Sequence, residues 1–307
     1  MSTKALHQPV MLEEAVSGLN IKPDSWYLDA TFGRGGHTRA ILKQQGKVVA
    51  LDFDQEAIDF GRQQFSQALD NHNLFLIREN FAHLKKVVTK LKLKHQKIGT
   101  IKGILFDFGT TQDQLKSKTR GFSFDQPNSE LDMRMDQSLG VKASDLLTVF
   151  SVKQLAEIFK RYGGESRAKA IAQAIDRYRG QDRTRKIETV GQLVKIIEQV
   201  KHRNGKLHPA TKIFQALRIA VNDELTNIEQ GLRNCLQVLE PPARVVTIAF
   251  HEGEDRIAKH QFKAWQEQQL GTILTKKPMT AAEEELDKNP AARSAKLRIF
   301  NYQPQQN

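Results

Sequence analysis

The period of the hydrophobic positions along this chain changes in a regular way. Four short apolar runs, "WYLDAT" (26–31), "KVVALDFD" (47–54), "NLFLIREN" (73–80) and "KGILFDFG" (102–109), are each separated by room for one amphipathic helix. Such alternation predicts an α/β fold in which parallel strands are joined by crossover helices. A fifth run, "ARVVTIAF", comes only at 243–250. The long interval before it carries amphipathic patterns, "SVKQLAEIFKRYG" and "VGQLVKIIEQV" among them. Loops in such folds span roughly 2 to 6 residues, so the interval predicts an inserted helical subdomain at 115–206. Residues 1–114 and 207–307 are then left to form the sheet domain. Within the second part, Phe214, Leu217, Val221, Leu225, Ile228 and Leu232 recur every third or fourth residue and predict one core-facing helix leading into the fifth strand. Two further strands are expected in "GTILTKKPM" (271–279) and "AKLRIFNYQ" (295–303), with "AAEEELDKNPAARS" between them as a loop or short helical excursion.

The last of these strands arrives without a crossover helix, which makes it antiparallel. A closing hairpin of that kind is typical of class I methyltransferases, whereas nicotinamide-binding domains keep the sheet parallel. The turn after the first strand, "LDATFGRGGHT" (28–38), bears on the same choice. It lacks the Gly-x4-Gly-Lys-Ser/Thr of a phosphate loop, and Thr38 stands where the dinucleotide pattern asks for a third glycine after Gly33 and Gly35. Asp29 ends the first strand, where its carboxylate either faces the cationic amino group of S-adenosylmethionine or caps the turn. Asp52 ends the second strand, where an acid can accept both ribose hydroxyls of an adenosine. Phe81 follows the third strand as an adenine stack or a hydrophobic staple. Asp107 ends the fourth strand, in the crevice where open α/β sheets bind ligands.

Composition narrows the partner. The 307 residues contain 47 Lys and Arg against 35 Asp and Glu, a formal charge of +12, which favours a polyanionic partner such as RNA. No apolar run approaches the roughly 20 residues of a membrane helix, and the N-terminus lacks a signal-peptide layout, so a cytoplasmic protein is expected. Cys235 is the single cysteine, which rules out an internal disulfide and reads as a small buried helix residue. The histidines show no ligand spacing, and no metal is expected.

Several longer stretches carry a resemblance. "HQPVMLEEAV", "DATFGRGGHT", "RGFSF" with "LDMRMD", "HPATKIFQALRIAVNDEL", "FHEGEDRI" and "NPAARSAKLRI" occur in family order. Over nearly its whole length the chain resembles the MraW family, the ribosomal RNA small subunit methyltransferases H. The resemblance implies a class I methyltransferase sheet with an inserted all-helical domain, S-adenosylmethionine as cofactor, and methylation of the exocyclic N4 of a cytidine in 16S rRNA of the small ribosomal subunit. By family position the cofactor contacts fall on Gly35, Gly36, His37, Asp52, Phe81, Asp107 and Gln114, with Gly33 and Asp29 beside them. Substrate RNA is then expected between the sheet and the helical domain, near Arg120, Arg134, Arg218 and Arg256. Phe122 or Phe124 is the candidate base stack, each with a core role as the alternative, and His251 either contacts substrate or makes a structural hydrogen bond. Asp107 is the candidate acceptor for the target amine. Asp132 and Asp136 are alternatives, each equally suited to capping or to pairing with a local arginine.

The sequence departs from the family pattern at three places. Segment 109–116, "GTTQDQLK", has Asp113 for a proline and Lys116 for an acid, while 163–170 loses a glutamate and Glu252-Gly253 replaces Ser-Leu. These leave room for a diverged paralogue acting on another RNA, or for a non-catalytic RNA-binding or ribosome assembly factor. A nicotinamide-dependent oxidoreductase is a further alternative, opposed by Thr38 and the closing hairpin.

Overall fold

The structure is a computed structural model that describes residues 9–95, 97–109, 119–180, 184–202 and 207–305. In chain order its elements are α1 (Leu12–Leu19), β1 (Trp26–Asp29), α2 (Gly36–Lys43), β2 (Lys47–Asp52), α3 (Gln55–Gln64), α4 (Ser66–Asp70), β3 (Leu74–Arg78), α5 (Leu84–Lys94) and β4 (Ile101–Asp107). Five helices follow: α6 (Ala143–Val149), α7 (Val152–Arg161), α8 (Ala168–Arg179), α9 (Val190–Val200) and α10 (Thr211–Asn222). The chain then forms α11 (Glu224–Cys235), β5 (Leu239–Ala249), α12 (Glu252–Glu267), β6 (Gly271–Ile273), α13 (Glu283–Lys288) and β7 (Lys296–Tyr302).

The seven strands lie in the order β3-β2-β1-β4-β5-β7-β6. Neighbours from β3 through β5 pair in parallel, and β7 pairs antiparallel with both β5 and β6. The closing antiparallel strand expected from the sequence is therefore present, inserted between β5 and β6. All four residues of β1 are buried, because a central parallel strand is covered on both faces. Side chains alternate across it: Trp26 and Leu28 pack with α5, α11 and α12, while Tyr27 packs with α1, α2 and α3.

The chain divides into two compact units, Met1–Gly109 with Leu225–Asn307 and Thr110–Glu224. This corrects the boundary read from the sequence, which assigned residues 207–224 to the sheet domain. The single helix expected from Phe214 to Leu232 is two helices, because Asp223 takes the left-handed conformation (φ 49°) and ends α10. The 3-and-4 spacing runs through this break without change, so periodicity alone could not reveal it. Phe214 and Leu217 are buried in α10 within the helical unit, whereas Ile228 and Leu232 belong to the core of the sheet unit. β6 is also shorter than expected. It stops at Ile273, and the chain returns to β7 only at the Met279–Leu297 bridge.

Helix starts in the helical unit are written in the sequence. Ser151 and Gln154 form a reciprocal capping box at α7, and Thr189 with Gln192 does the same at α9. Arg179, 1% exposed, donates from Nη1 to the carbonyls of Leu147, Thr148 and Phe150, satisfying the C-terminal end of α6.

Candidate active site

β1 sits where the strand order reverses, with β2 on one side and β4 on the other, and the crevice beyond the strand ends opens there. Backbone bonds carry the three strand ends into this turn. Ala30 N–H donates to Leu105 O (2.9 Å), Phe32 N–H to Leu51 O (2.8 Å) and Phe108 N–H to Ile248 O (2.9 Å).

The glycines of the turn are required by geometry. Gly35 caps α2 at φ 68°, and a Cβ there would lie 2.6 Å from the Phe65 ring and 2.7 Å from Phe32. A Cβ on Gly36 would strike Pro9 at 2.3 Å. Gly33, also at positive φ, donates its N–H to Asp52 Oδ2 (2.8 Å), while Asp52 Oδ1 accepts from Asp54 N–H (2.9 Å). Each Asp52 oxygen thus spends one lone pair on fixing its position and keeps another for a ligand. Burial pushes the Asp52 carboxyl up to about 6, against the pull of those two N–H bonds.

Asp29 caps the turn. Oδ1 accepts from Thr31 N–H (3.2 Å) and Oδ2 from Thr38 Oγ1 (2.6 Å), which ties β1 to α2. Its side chain is 1% exposed, and burial raises the carboxyl to about 6. Thr31 also accepts the N–H of Asp107 at 2.7 Å and so fixes the end of β4 against the turn. Thr31 was not singled out in the sequence, and Thr38 only as a departure from the dinucleotide pattern, because a short hydroxyl in a glycine turn has no pattern of its own.

Asp107 faces the same space from β4. Its Oδ1 is buried without a hydrogen-bond partner among the described residues, and Oδ2 lies 3.8 Å from His37 Nδ1. Burial, with the neighbouring charges of Asp29 and Glu254, raises the Asp107 carboxyl well above the ordinary range. His37 is buried and its Nε2 approaches Val10 O at 3.3 Å, which leaves Nδ1 turned to Asp107. Phe81 is half-buried, with its ring against Phe106 (5.8 Å between centroids, edge-on) and Phe108 (6.1 Å) and over Gly231. Arg34 of the same turn lies over the Phe60 ring at 4.7 Å. Gln114, Asp113 and Lys116 lie outside the described residues.

Residues nominated for RNA sort differently. Arg120 is 5% exposed and donates to the carbonyls of Arg134 (2.9 Å) and Met135; Phe122, also buried, lies under its guanidinium. Both are buried within the helical unit, the core role that the sequence left open for Phe122. Asp132 and Arg134 form a bidentate pair at 2.7 and 2.8 Å. Burial raises the Asp132 carboxyl, but the bonds from Arg134 outweigh it and hold the group below its usual range. Arg134 further donates to Gln137 O and Leu139 O, so the pair closes its own loop. Asp136 Oδ1 accepts from Ser138 N–H (2.8 Å), a local turn. Arg218 is paired bidentately with Glu224 at 2.8 and 2.9 Å. Phe124 is half-buried, its face stacked on His208 at 4.3 Å and its edge on Phe214. His251 makes a structural hydrogen bond: Nδ1 caps α12 by accepting from Gly253 N–H (3.1 Å) and Glu254 N–H (3.4 Å). Arg256 alone of this set has an exposed side chain, on the first turns of α12. A motif arginine carries the same charge whether it is buried on carbonyls or open to solvent, so sequence could not separate these cases.

The arrangement suits a cationic nucleoside. Asp29, Asp52 and Asp107 gather carboxylates around one glycine turn, and the charge of Asp29 itself raises both of the others. A positive ligand relieves that repulsion, whereas a pyrophosphate would add to it. The buried, unpartnered Asp107 Oδ1 and the space that side chains on Gly35 and Gly36 would fill provide an acceptor and a close backbone approach.

A family model and a relative match the chain over nearly its whole length. The model of the MraW methylase family matches residues 4–303. A ribosomal RNA small subunit methyltransferase H from a Sulfurihydrogenibium species is 40% identical over 298 residues, covering 95% of this chain and 98% of the relative. Among solved structures, an rRNA methylase from Streptococcus thermophilus aligns with TM-score 0.43 and 12% identity, covering 96% of this chain and 94% of its own. A protein from Streptococcus mutans, crystallised in complex with SAH, aligns with TM-score 0.44 and 14% identity over 97% and 100%. The chain belongs to the MraW methylase family and is an S-adenosylmethionine-dependent methyltransferase.

Proposed function

We propose that this methyltransferase acts in the cytoplasm on the small ribosomal subunit and methylates the exocyclic N4 of a cytidine in its rRNA. The rRNA substrate is supported by the name of the 40%-identical relative, and N4 of cytidine by the family resemblance of the motifs. The observation that carries the chemistry is the buried Asp107 oxygen without a partner, set among carboxylates at the glycine turn.

S-adenosylmethionine, when bound, would supply a methyl group from a positively charged sulfur, its S–C bond breaking as the N–C bond forms and a neutral thioether leaving. Gly33, Gly35, Gly36 and His37 line the turn that would hold it, Asp52 has the lone pairs for its ribose hydroxyls, and the open side of Phe81 offers a surface for adenine. The lone pair of the cytosine amine is delocalised into the ring, so N4 is a weak nucleophile until an acceptor engages its hydrogen. Asp107 Oδ1 is that acceptor. Its raised proton affinity lets it take the proton that the amine sheds as the new N–C bond forms. The target base must leave its stack to reach a site at the strand ends.

The test is methyl transfer to purified small subunits that lack the modification, read by nucleoside mass spectrometry. N4-methylcytidine is expected to accumulate. Its absence with cofactor binding intact would favour the assembly-factor alternative, and calorimetric binding of NAD in place of S-adenosylmethionine would remove the cofactor assignment.

A further inference from the structure

α5 presents lysines over its whole outer face. Its sequence, "LKKVVTKLKLK", buries Leu84, Val87, Val88 and Leu91 against the sheet and exposes Lys85, Lys86, Lys90 and Lys94, with Lys92 half-exposed. At 100° per residue these lysines, with Thr89 and Leu93, span the entire solvent arc. The helix has no acidic residue, and exposed Lys97 extends the charge past its end. Among the described residues, Lys85, Lys90, Lys92, Lys94 and Lys97 make no ion pair. Glu79, just upstream, is hydrogen-bonded to His83 and feels the charge of Lys86.

This placement works against the helix itself. Lys86, Lys90 and Lys94 follow one another at i, i+4 and i+8, the spacing at which like charges repel. Lys85 and Lys86 stand in the first turn, where the helix dipole disfavours cations. Only Lys92 and Lys94, in the last turn, have a folding rationale. The apolar stripe is buried in the core, so α5 cannot lie in a membrane interface as a free amphipathic helix would. Leu93, 81% exposed, is a single apolar side chain on a face with no others, far less than the roughly 800 Å² per partner of a specific protein interface.

We propose that the lysine face of α5 is a docking surface for the phosphate backbone of the substrate RNA, separate from the site that holds the target base. The proposal rests on the reading that the substrate is RNA. It assigns to these lysines sequence-independent affinity, each contact displacing counterions from the RNA.

The test uses the full chain and a fluorescein-labelled fragment of small-subunit rRNA, with binding followed by anisotropy across salt concentrations. The triple variant Lys86→Gln, Lys90→Gln, Lys94→Gln should lower the slope of log affinity against log salt by about 2 to 3. Its melting temperature should stay level or rise, and S-adenosylmethionine affinity should not change. A control triple, Lys43→Gln, Lys276→Gln and Lys277→Gln, removes the same charge from exposed positions elsewhere and should leave the slope close to that of the parent. An unchanged slope in the α5 variant overturns the proposal, as does an equal loss in the control. Loss of binding to anionic phospholipid vesicles with RNA binding intact would also overturn it, in favour of a membrane. The parent protein is assayed in parallel for N4-methylcytidine on small subunits. Failure there with the slope effect intact removes the methylation reading and leaves the docking surface standing.

Discussion

Asp29 and Asp107 differ by a hydrogen bond. Both are acids at strand ends, but Asp29 accepts one bond on each oxygen, from Thr31 and Thr38, while Asp107 has a buried Oδ1 with no hydrogen-bond partner among the described residues. The first ties β1 to α2, and the second is the acceptor in the function proposed above. Asp107→Ala is expected to abolish methyl transfer in the nucleoside assay, with a fold unchanged by circular dichroism. Asp29 gives a pH signature instead. Below about pH 4 its carboxyl is protonated in folded and unfolded chains alike and imposes no penalty. As pH rises towards 6 the unfolded chain ionises first, so stability falls, and above the folded value of about 6 the penalty is complete and constant. A rise from 3.8 to about 6 corresponds to roughly 3 kcal/mol at most. Asp29→Asn keeps the shape, and its denaturation midpoint in ligand-free protein should vary less between pH 4 and 6.5 than that of the parent. At this scale the sequence disclosed which acids mattered, through their places after strands, but not their division of labour. The bonds that hold Asp29, from Thr31 N–H and the Thr38 hydroxyl, carry no sequence pattern.

Elements were legible where a period or a cap marked them. The parallel strands and the boxed starts of α7 and α9 follow from alternation and from Ser/Thr-x-x-Gln. The break at Asp223 was hidden because a left-handed residue can interrupt a helix without disturbing its apolar spacing. Two predictions belong here. Gly35→Ala must place a Cβ on a backbone at φ 68° and between two phenyl rings, and should destabilise by about 1 to 3 kcal/mol, read by urea titration, with weaker cofactor binding. Arg298 of β7 holds Asp255 of α12 through two bonds, 2.7 and 3.0 Å, both side chains being nearly buried. Arg298→Ala should cost about 3 to 5 kcal/mol because it strands a buried carboxylate. The double change Arg298→Met with Asp255→Leu should cost far less, which a denaturation cycle would show.

For the whole molecule, composition announced a polyanionic partner without saying where it binds. The excess of 12 positive charges includes arginines buried on carbonyls, such as Arg120 and Arg179, and lysines open to solvent on α5. Only coordinates separate those uses, and the same limit moved residues 207–224 from one unit to the other. No helix among the described residues is long and apolar enough to cross a membrane.

β4 and β5 are neighbours in the sheet, yet the chain leaves β4 at Asp107 and enters β5 only at Leu239. During synthesis the first half of the sheet therefore emerges with one edge unpaired, and the helical unit, built from local contacts, is made before that edge can be closed. Closing it means joining the ends of a very long loop, the step that topology makes slow. In refolding with pulsed hydrogen exchange, amides of α7 to α9 should be protected before those that link β4 to β5. The β4–β5 seam is thus among the last features of the protein expected to form.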